Sequence, residues 1–125
     1  MESKLDNIIN QYGNAVRRFD DVLQKEKDEY IRDSAIQRFE FTFELAWKTM
    51  KAYLAEKGNT VYSPRDAIKS VFQLGLIPDN QLWLNILKTR NMTAHVYNES
   101  MAENVYAQLA DYVPLFQDLL TELSK

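Results

Sequence analysis

Apolar residues recur at three- and four-residue steps along nearly the whole chain, which is the spacing of one face of an α-helix. The first apolar stripe predicts a helix over about residues 3–26, and the second predicts a helix over about 29–57. The first stripe consists of Leu5, Ile8, Ile9, Tyr12, Val16, Phe19 and Leu23. The second consists of Ile36, Phe39, Phe43, Ala46, Met50 and Tyr53, and a second apolar side is added by Phe41, Leu45, Trp47 and Leu54. A helix that is apolar on two sides is expected to lie centrally, or to face both a core and a partner.

The second half of the chain predicts one short helix and two longer ones. Ser63 and Pro64 suit the start of a helix over about 64–74, because serine caps helix N-termini and proline fits the first position. Asp79 or Asn80 then starts a helix reaching about residue 95, and the last helix covers about 100–123. Pro114 lies inside that helix and should kink it. The apolar seam of the last helix consists of Val105, Leu109, Tyr112, Phe116, Leu119 and Leu123.

These elements predict an all-α fold, an up-and-down four-helix bundle with one short extra helix. Strand-like alternation is absent from the sequence, and three glycines and three prolines are too few for a loop-rich β-fold. At 125 residues, with 46% hydrophobic residues, residues 1–125 are expected to form a single domain with its own core.

Composition narrows the expected setting of the protein. The chain has no cysteine, which excludes disulfides and thiolate sites, and it has no apolar run long enough to cross a membrane. We therefore expect a cytoplasmic protein without a membrane partner. The net charge of −3 argues against general nucleic-acid binding, but residues 48–90 hold seven basic and three acidic side chains, whereas 91–124 hold no lysine or arginine. A basic zone on an acidic body could admit RNA at one place.

The candidate chemistry lies in the segment from Arg90 to Tyr97, which contains His95, the only histidine of the chain. Arginine can bind a phosphate and histidine can move protons near neutral pH, so the pair suits cleavage of RNA by transesterification. Asn91 could orient the imidazole or the phosphate. On a regular helix Arg90 and His95 point about 140° apart. Either the helix therefore ends near Ala94, or the arginine and histidine of two chains combine across a dimer.

Each of these residues also has an ordinary structural interpretation. An arginine on an apolar stripe commonly forms an ion pair, here with Glu40 or Glu44, because an unpaired buried charge is costly. A histidine near a helix end commonly caps or packs, and Tyr97 is one of seven tyrosines. A purely structural helical adaptor is therefore one further interpretation.

The string R-x4-H-x-Y from Arg90 to Tyr97 resembles the motif of the HEPN domain family, in particular of its small members that are paired with minimal nucleotidyltransferases (MNT). The stretch 36–48, IQRFEFTFELAWK, is similar to that family's second helix, and Ser63-Pro64-Arg65 stands in the expected place before the short helix. The similarity extends over essentially the whole chain.

The resemblance implies a homodimer whose two motif copies face one cleft. It also implies a metal-independent endoribonuclease without a cofactor, the toxin of a toxin–antitoxin pair, acting on an RNA substrate such as tRNA or mRNA. Arg90, His95 and Asn91 would be the catalytic residues. The cognate nucleotidyltransferase would be the antitoxin and would silence the toxin by transferring AMP from ATP to Tyr97. The alternative that the family offers is a non-catalytic subunit that binds the nucleotide substrate of a nucleotidyltransferase.

Overall fold

The computed structural model describes residues 3–125, and this part of the chain forms five α-helices and no β-strand. The helices are α1 (Lys4–Leu23), α2 (Glu29–Glu56), α3 (Pro64–Gln73), α4 (Asn80–Thr93) and α5 (Glu99–Leu123). The predicted all-helical class, with four longer helices and one short one, is confirmed. No helix within residues 3–125 combines the length and the apolar character that crossing a membrane requires.

The helix starts follow from capping side chains that the sequence displays. Ser63 accepts a hydrogen bond from the backbone N–H of Asp66 at the start of α3, and Asp79 accepts from two backbone N–H groups at the start of α4. Gly58 ends the turn after α2 with φ of 80°, a left-handed conformation that favours glycine. The ends of α1 and α4 come two to three residues earlier than the apolar pattern predicted, because the pattern does not resolve the last turn.

Helix α2 is the central element of the bundle, since it packs against all four other helices. This central position explains why α2 is apolar on two sides. The sequence had left open whether its second apolar side faces the core or a partner protein. Phe41 is nevertheless 60% exposed on its outer surface. The apolar seam predicted for α5 is buried over its full length, and α5 continues through Pro114.

An aromatic cluster at the centre of the bundle joins four of the five helices. The ring of Phe116 on α5 lies between 5.5 and 6.5 Å from the rings of Tyr12, Phe19, Phe39 and Trp83, measured between centroids. The buried hydroxyl of Tyr12 donates a 2.7 Å hydrogen bond to the carbonyl of Phe116, and burial raises the pKa of Tyr12 well above its usual value. This core holds α4 and α5 together, and the candidate segment connects these two helices.

Candidate functional site

Helix α4 ends within the candidate segment, next to Ala94, as the first of the two alternatives left open by the sequence expected. The last helical residue is Thr93, whose hydroxyl donates a 2.6 Å hydrogen bond to the carbonyl of Arg90. Ala94 is the C-cap, and the N–H of His95 donates to the carbonyl of Met92 at 2.9 Å. His95 therefore stands just beyond the helix, where its direction is not fixed by helical geometry.

His95 and Tyr97 contact each other on the exposed side of this segment. The Nδ1 atom of His95 lies 3.1 Å from the hydroxyl oxygen of Tyr97, within hydrogen-bond distance. The two rings meet edge to face, with centroids 6.2 Å apart. Both residues are exposed, Tyr97 to 76%. The contact leaves the other ring nitrogen of His95, Nε2, open to a ligand.

Arg90 lies one turn before the end of α4 and is only partly buried. Its Nη2 atom lies 3.3 Å from Oε2 of Glu44 on α2, and its side chain is 39% exposed. Of the two acidic partners considered for Arg90, the structure therefore contains the ion pair with Glu44. The Nε atom of Arg90 is buried and has no hydrogen-bond partner within residues 3–125, so the donors open to a ligand are the terminal N–H groups. The ion pair uses only part of a fork of five donors, so Arg90 can still bind an anion.

Asn91 and His95 line one groove between α3 and α4, together with two basic residues. The basic residues are Arg65, in the first turn of α3, and Lys88 on α4. The groove has a volume of about 650 Å³, and no aspartate or glutamate is among the described residues that line it. The basic zone noted in the sequence thus contributes two cations to the surface that carries His95.

Arg90 is not among the described residues lining this groove, so the structure brings together three of the predicted site residues more closely than the fourth. Asn91 and His95 share the groove, and Tyr97 contacts His95. Arg90 instead points its guanidinium toward α2 and Glu44. Within one chain, the guanidinium and the imidazole therefore occupy neighbouring surfaces on two sides of the end of α4.

A buried arginine that the sequence reasoning did not single out supports the segment from its other end. Arg32 on α2 is hydrogen-bonded to the carboxylates of Asp33, Glu99 and Glu103, and the last two belong to the first turns of α5. Its side chain is only 5% exposed. Hydrogen bonds to Lys27 first, and to Arg32 second, lower the pKa of Glu103. This cluster fixes the start of α5 two residues after Tyr97.

Asn98 completes the anchoring of the segment at its C-terminal side. Its side-chain oxygen accepts a 2.9 Å hydrogen bond from the backbone N–H of Met101, which makes Asn98 the N-cap of α5. Asparagine followed by an acidic first turn is a signal that a sequence can display. The signal for Arg32 is weaker, because an arginine in a polar stretch predicts exposure.

Glu40 and Glu44 lie one turn apart on α2, where two carboxylates could in principle share a cation. No group of three or more histidine, aspartate or glutamate residues with a metal-binding arrangement occurs in residues 3–125. Glu44 instead lies between two cations, with Lys48 Nζ 3.6 Å from its other carboxylate oxygen. Glu44 is thus part of a small charged row on α2 and α4.

Comparison with known proteins places this arrangement in a family. The profile of the family described as "Nucleotidyltransferase substrate binding protein like" matches residues 6–125. The chain belongs to this family. Its HEPN resemblance is also confirmed, since the family's relatives include a protein named probable ribonuclease HepT, from Haemophilus influenzae. That relative is 37% identical over 94 residues, which are 71% of this chain and 64% of the relative. The chain thus spans less than two thirds of the length of that curated relative.

Three solved structures of similar proteins share the fold. A protein from Thermus thermophilus is 35% identical, with a TM-score of 0.85. The match covers 91% of this chain and 99% of the Thermus protein. Haemophilus influenzae HI0074, described as the substrate-binding domain of a nucleotidyltransferase, is 28% identical with a TM-score of 0.70, covering 97% of both chains. The Shewanella oneidensis HEPN toxin, tri-AMPylated and in complex with MNT antitoxin, is 19% identical with a TM-score of 0.77, covering 99% and 98%. At that identity the toxin shows the shared fold alone.

Proposed function

We propose that this protein is a metal-independent endoribonuclease, the toxin of a HEPN/MNT toxin–antitoxin pair. It would cleave RNA, with tRNA as one candidate substrate, through Arg90 and His95. The observation that carries the proposal is the state of the His95 ring. Its Nδ1 is occupied by the hydroxyl of Tyr97 at 3.1 Å, while the exposed ring leaves Nε2 free for a proton.

The reaction is a transesterification in which the attacking hydroxyl loses a proton and the leaving oxygen gains one. When Nδ1 of His95 carries the proton and donates to Tyr97, Nε2 is unprotonated and accepts the proton of a ribose 2′-hydroxyl. The 2′-oxygen then attacks the adjacent phosphorus, and the bond from phosphorus to the 5′-oxygen breaks. A second imidazole, supplied by another copy of the chain, protonates the leaving 5′-oxygen. The products are a 2′,3′-cyclic phosphate and a free 5′-hydroxyl.

Arg90 and Asn91 serve this reaction as binding groups. The guanidinium of Arg90 is partly exposed beside Glu44 and makes one ion pair through Nη2, so its terminal N–H groups can hold the charge that grows on the phosphate oxygens. Asn91 lines the groove next to His95 and can hydrogen-bond the ribose or the phosphate. A homodimer supplies the second imidazole and allows the Arg90 of one copy to approach the His95 of the other.

Regulation by the partner enzyme fits the exposure of Tyr97. In AMP transfer, the phenolic oxygen of Tyr97 attacks the α-phosphorus of ATP, the bond to the β-phosphate bridge breaks, and pyrophosphate leaves. The 76% exposure of Tyr97 makes its hydroxyl accessible to a nucleotidyltransferase. The adduct removes the hydroxyl that contacts His95 and adds an anion that repels phosphate. Such an adduct would therefore silence cleavage.

Cleavage of RNA in EDTA tests the enzymatic proposal. The unmodified protein should convert a labelled RNA to products with 2′,3′-cyclic phosphate ends, and His95→Ala should reduce the rate by roughly a thousandfold or more. Circular dichroism and Tm of the variant should match those of the parent, because His95 is exposed. An alanine variant that cleaves as fast as the parent would remove His95 from the reaction.

The same experiment separates the second candidate function, which the family description and HI0074 favour. A non-catalytic substrate-binding subunit would leave RNA intact in EDTA, and would bind ATP or raise the activity of its nucleotidyltransferase. Intact RNA with the partner enzyme absent and Tyr97 unmodified would therefore decide for the binding subunit.

Intact-mass analysis tests the modification site. After incubation with the cognate nucleotidyltransferase, ATP and Mg²⁺, the parent should gain the mass of AMP and lose cleavage activity. Tyr97→Phe should gain no mass, and whatever rate of cleavage it has should not change on incubation with the partner enzyme. Tyr62→Phe is the matched control, because Tyr62 is 81% exposed and lies outside the segment. An AMP adduct on the Tyr97→Phe variant would move the modification to another residue.

Mixing of two inactive variants tests the shared site of a homodimer. Arg90→Ala chains, which keep His95, are mixed with His95→Ala chains, which keep Arg90. If Arg90 of one copy works with His95 of the other, the mixed dimers should cleave faster than either variant alone, although more slowly than the parent because they lack the second imidazole. A monomeric mass at micromolar concentration, or a mixture as inactive as its components, would contradict this composite site.

A further inference from the structure

The groove between α3 and α4 extends away from His95 and carries positive charge along its length. His95 and Asn91 line the part near the end of α4, Lys88 lies further back on α4, and Arg65 comes from the facing turn of α3. The remaining lining residues are apolar or carry amides. None of the described lining residues is acidic, so the two cations carry the formal charge of the lining, which favours an anionic ligand.

Both cations of the groove are uncommitted. Neither Arg65 nor Lys88 has an ion pair or a side-chain hydrogen bond within the described residues 3–125. Other cations near the site are engaged, since Arg90 and Lys48 pair with Glu44 and Arg32 binds three carboxylates. The two free cations of α3 and α4 therefore share a surface with His95 and differ from the cations that have a structural partner.

We infer that Arg65 and Lys88 form a phosphate-binding track that holds the RNA strand next to the phosphate being cleaved. The inference rests on the proposed ribonuclease function and assigns the substrate's path on the protein. Lys88 and His95 are seven residues apart, which corresponds to a rise of roughly 10 Å along a helix. A strand that lies along the groove would therefore place the phosphate being cleaved at His95 and neighbouring phosphates at Lys88 and Arg65.

The lining of the groove indicates how the strand is recognised. No phenylalanine, tyrosine or tryptophan is among the described lining residues, so apart from the imidazole of His95 the groove lacks rings on which unpaired bases could stack. Leu84 and Met92 offer small apolar contacts. Recognition on this track is therefore mainly of the backbone, with weak sequence preference and strong dependence on salt.

Equilibrium binding of a fluorescein-labelled single-stranded RNA of twelve nucleotides tests the track. All proteins carry His95→Ala so that no RNA is cut, and the anisotropy is measured over a series of NaCl concentrations. Arg65→Ala with Lys88→Ala should weaken binding by roughly tenfold and reduce the salt slope by about 1.4, about 0.7 for each lost phosphate contact. Arg65→Lys with Lys88→Arg should restore most of the affinity.

Arg18→Ala with Lys25→Ala is the matched control. It removes the same two residue types and the same net charge from exposed positions at the end of α1, outside the groove. If this control variant loses as much affinity as the groove variant, binding depends only on the overall charge of the protein, and the track is overturned. Unchanged binding in a groove variant with the parent Tm would overturn it equally.

Two further results separate the track from the proposed function. RNA binding that depends on Arg65 and Lys88, in a parent that does not cleave, would uphold the track and remove the nuclease. Cleavage by the parent, with binding independent of both residues, would uphold the nuclease and overturn the track. Binding of ATP instead of RNA, lost on substitution of both cations, would overturn it in favour of a nucleotide site.

Discussion

Two arginines lie at the two ends of the candidate segment: Arg32 binds the start of the helix that follows the segment, and Arg90 is the segment's first residue. Their guanidinium groups have different partners. Arg32 is 5% exposed and is bound by three carboxylates, which raise its pKa, with Glu99 contributing most. Arg90 is 39% exposed and has a single carboxylate partner within the described residues, which lies 3.3 Å from its Nη2. The first guanidinium is saturated and holds two helices together. The second is oriented by its partner but keeps donors for an anion.

This difference distinguishes an arginine of the scaffold from an arginine of the site. A structural role predicts loss of stability on substitution, whereas a role in the reaction predicts loss of rate in a protein that stays folded. Both residues lie next to carboxylates, so the presence of an ion pair alone does not separate them. The two roles are separated by how many guanidinium N–H groups lack a partner and by how exposed the side chain is to solvent.

Among substitutions of the two arginines and their carboxylate partners, the largest effect is expected for Arg90→Ala on the rate of cleavage. Removing a donor that stabilises charge in the transition state costs about 10²–10³-fold in rate. The Tm should stay within a few degrees of the parent, because an exposed ion pair contributes about 0–1 kcal/mol. Single-turnover cleavage in EDTA and thermal unfolding measure both quantities. A fall in Tm that accounts for the lost activity would make Arg90 a second scaffold arginine.

Arg32→Ala should show the opposite pattern. The substitution leaves the carboxylates of Glu99 and Glu103 close together without their shared donor, so the start of α5 loses its attachment to α2. We expect a decrease in Tm of roughly 5 °C or more, measured by circular dichroism. Arg18→Ala, at an exposed position, is the control and should stay near the parent. An Arg32 variant with the parent Tm would contradict the structural role.

A smaller effect, dependent on pH, is expected for Glu103→Gln. The pKa of Glu103 is lowered in the folded protein, so its ionised form stabilises the fold above the ordinary glutamate value of about 4.3. This stabilisation is lost as the pH falls through the lowered pKa. The Tm of the parent should therefore exceed that of Glu103→Gln at pH 7, and the difference should disappear in more acidic solution. Glu40→Gln, exposed on α2, removes the same charge and is the control at pH 7, where its Tm should stay near that of the parent.

The smallest effect is expected for Glu44→Gln. The amide oxygen can still accept from Arg90, and the pair is more than a third exposed, so both Tm and cleavage should change little. A decrease in rate below about threefold fits a residue that only orients Arg90. A loss as large as that of Arg90→Ala would mean that the carboxylate itself takes part in the reaction.

The helices could be predicted from the sequence because their signals are local. Five of the six positions of the α2 seam and all six of the α5 seam are buried. The caps Ser63 and Asp79 act where the sequence indicated. The homodimer, the catalytic roles and the modification of Tyr97 remain predictions.

The charged contacts around the site could not be predicted because they join distant parts of the chain. Arg32 meets Glu99 and Glu103 across 67 and 71 residues, and nothing in its own neighbourhood indicates burial. The basic zone of 48–90 was visible as a charge count. Which of its cations share a groove with His95 depends on the packing of α3 against α4.

The short connection from Ala94 to Asn98 has a consequence for how the protein can change during evolution. Both of its ends are fixed by helix caps, Ala94 as the C-cap of α4 and Asn98 as the N-cap of α5. Inserting or deleting a single residue would therefore separate the imidazole from the phenol or unwind a helix end. The length of this connection is thus constrained as strictly as the identity of any side chain in it, and variation in loop length should be tolerated elsewhere first.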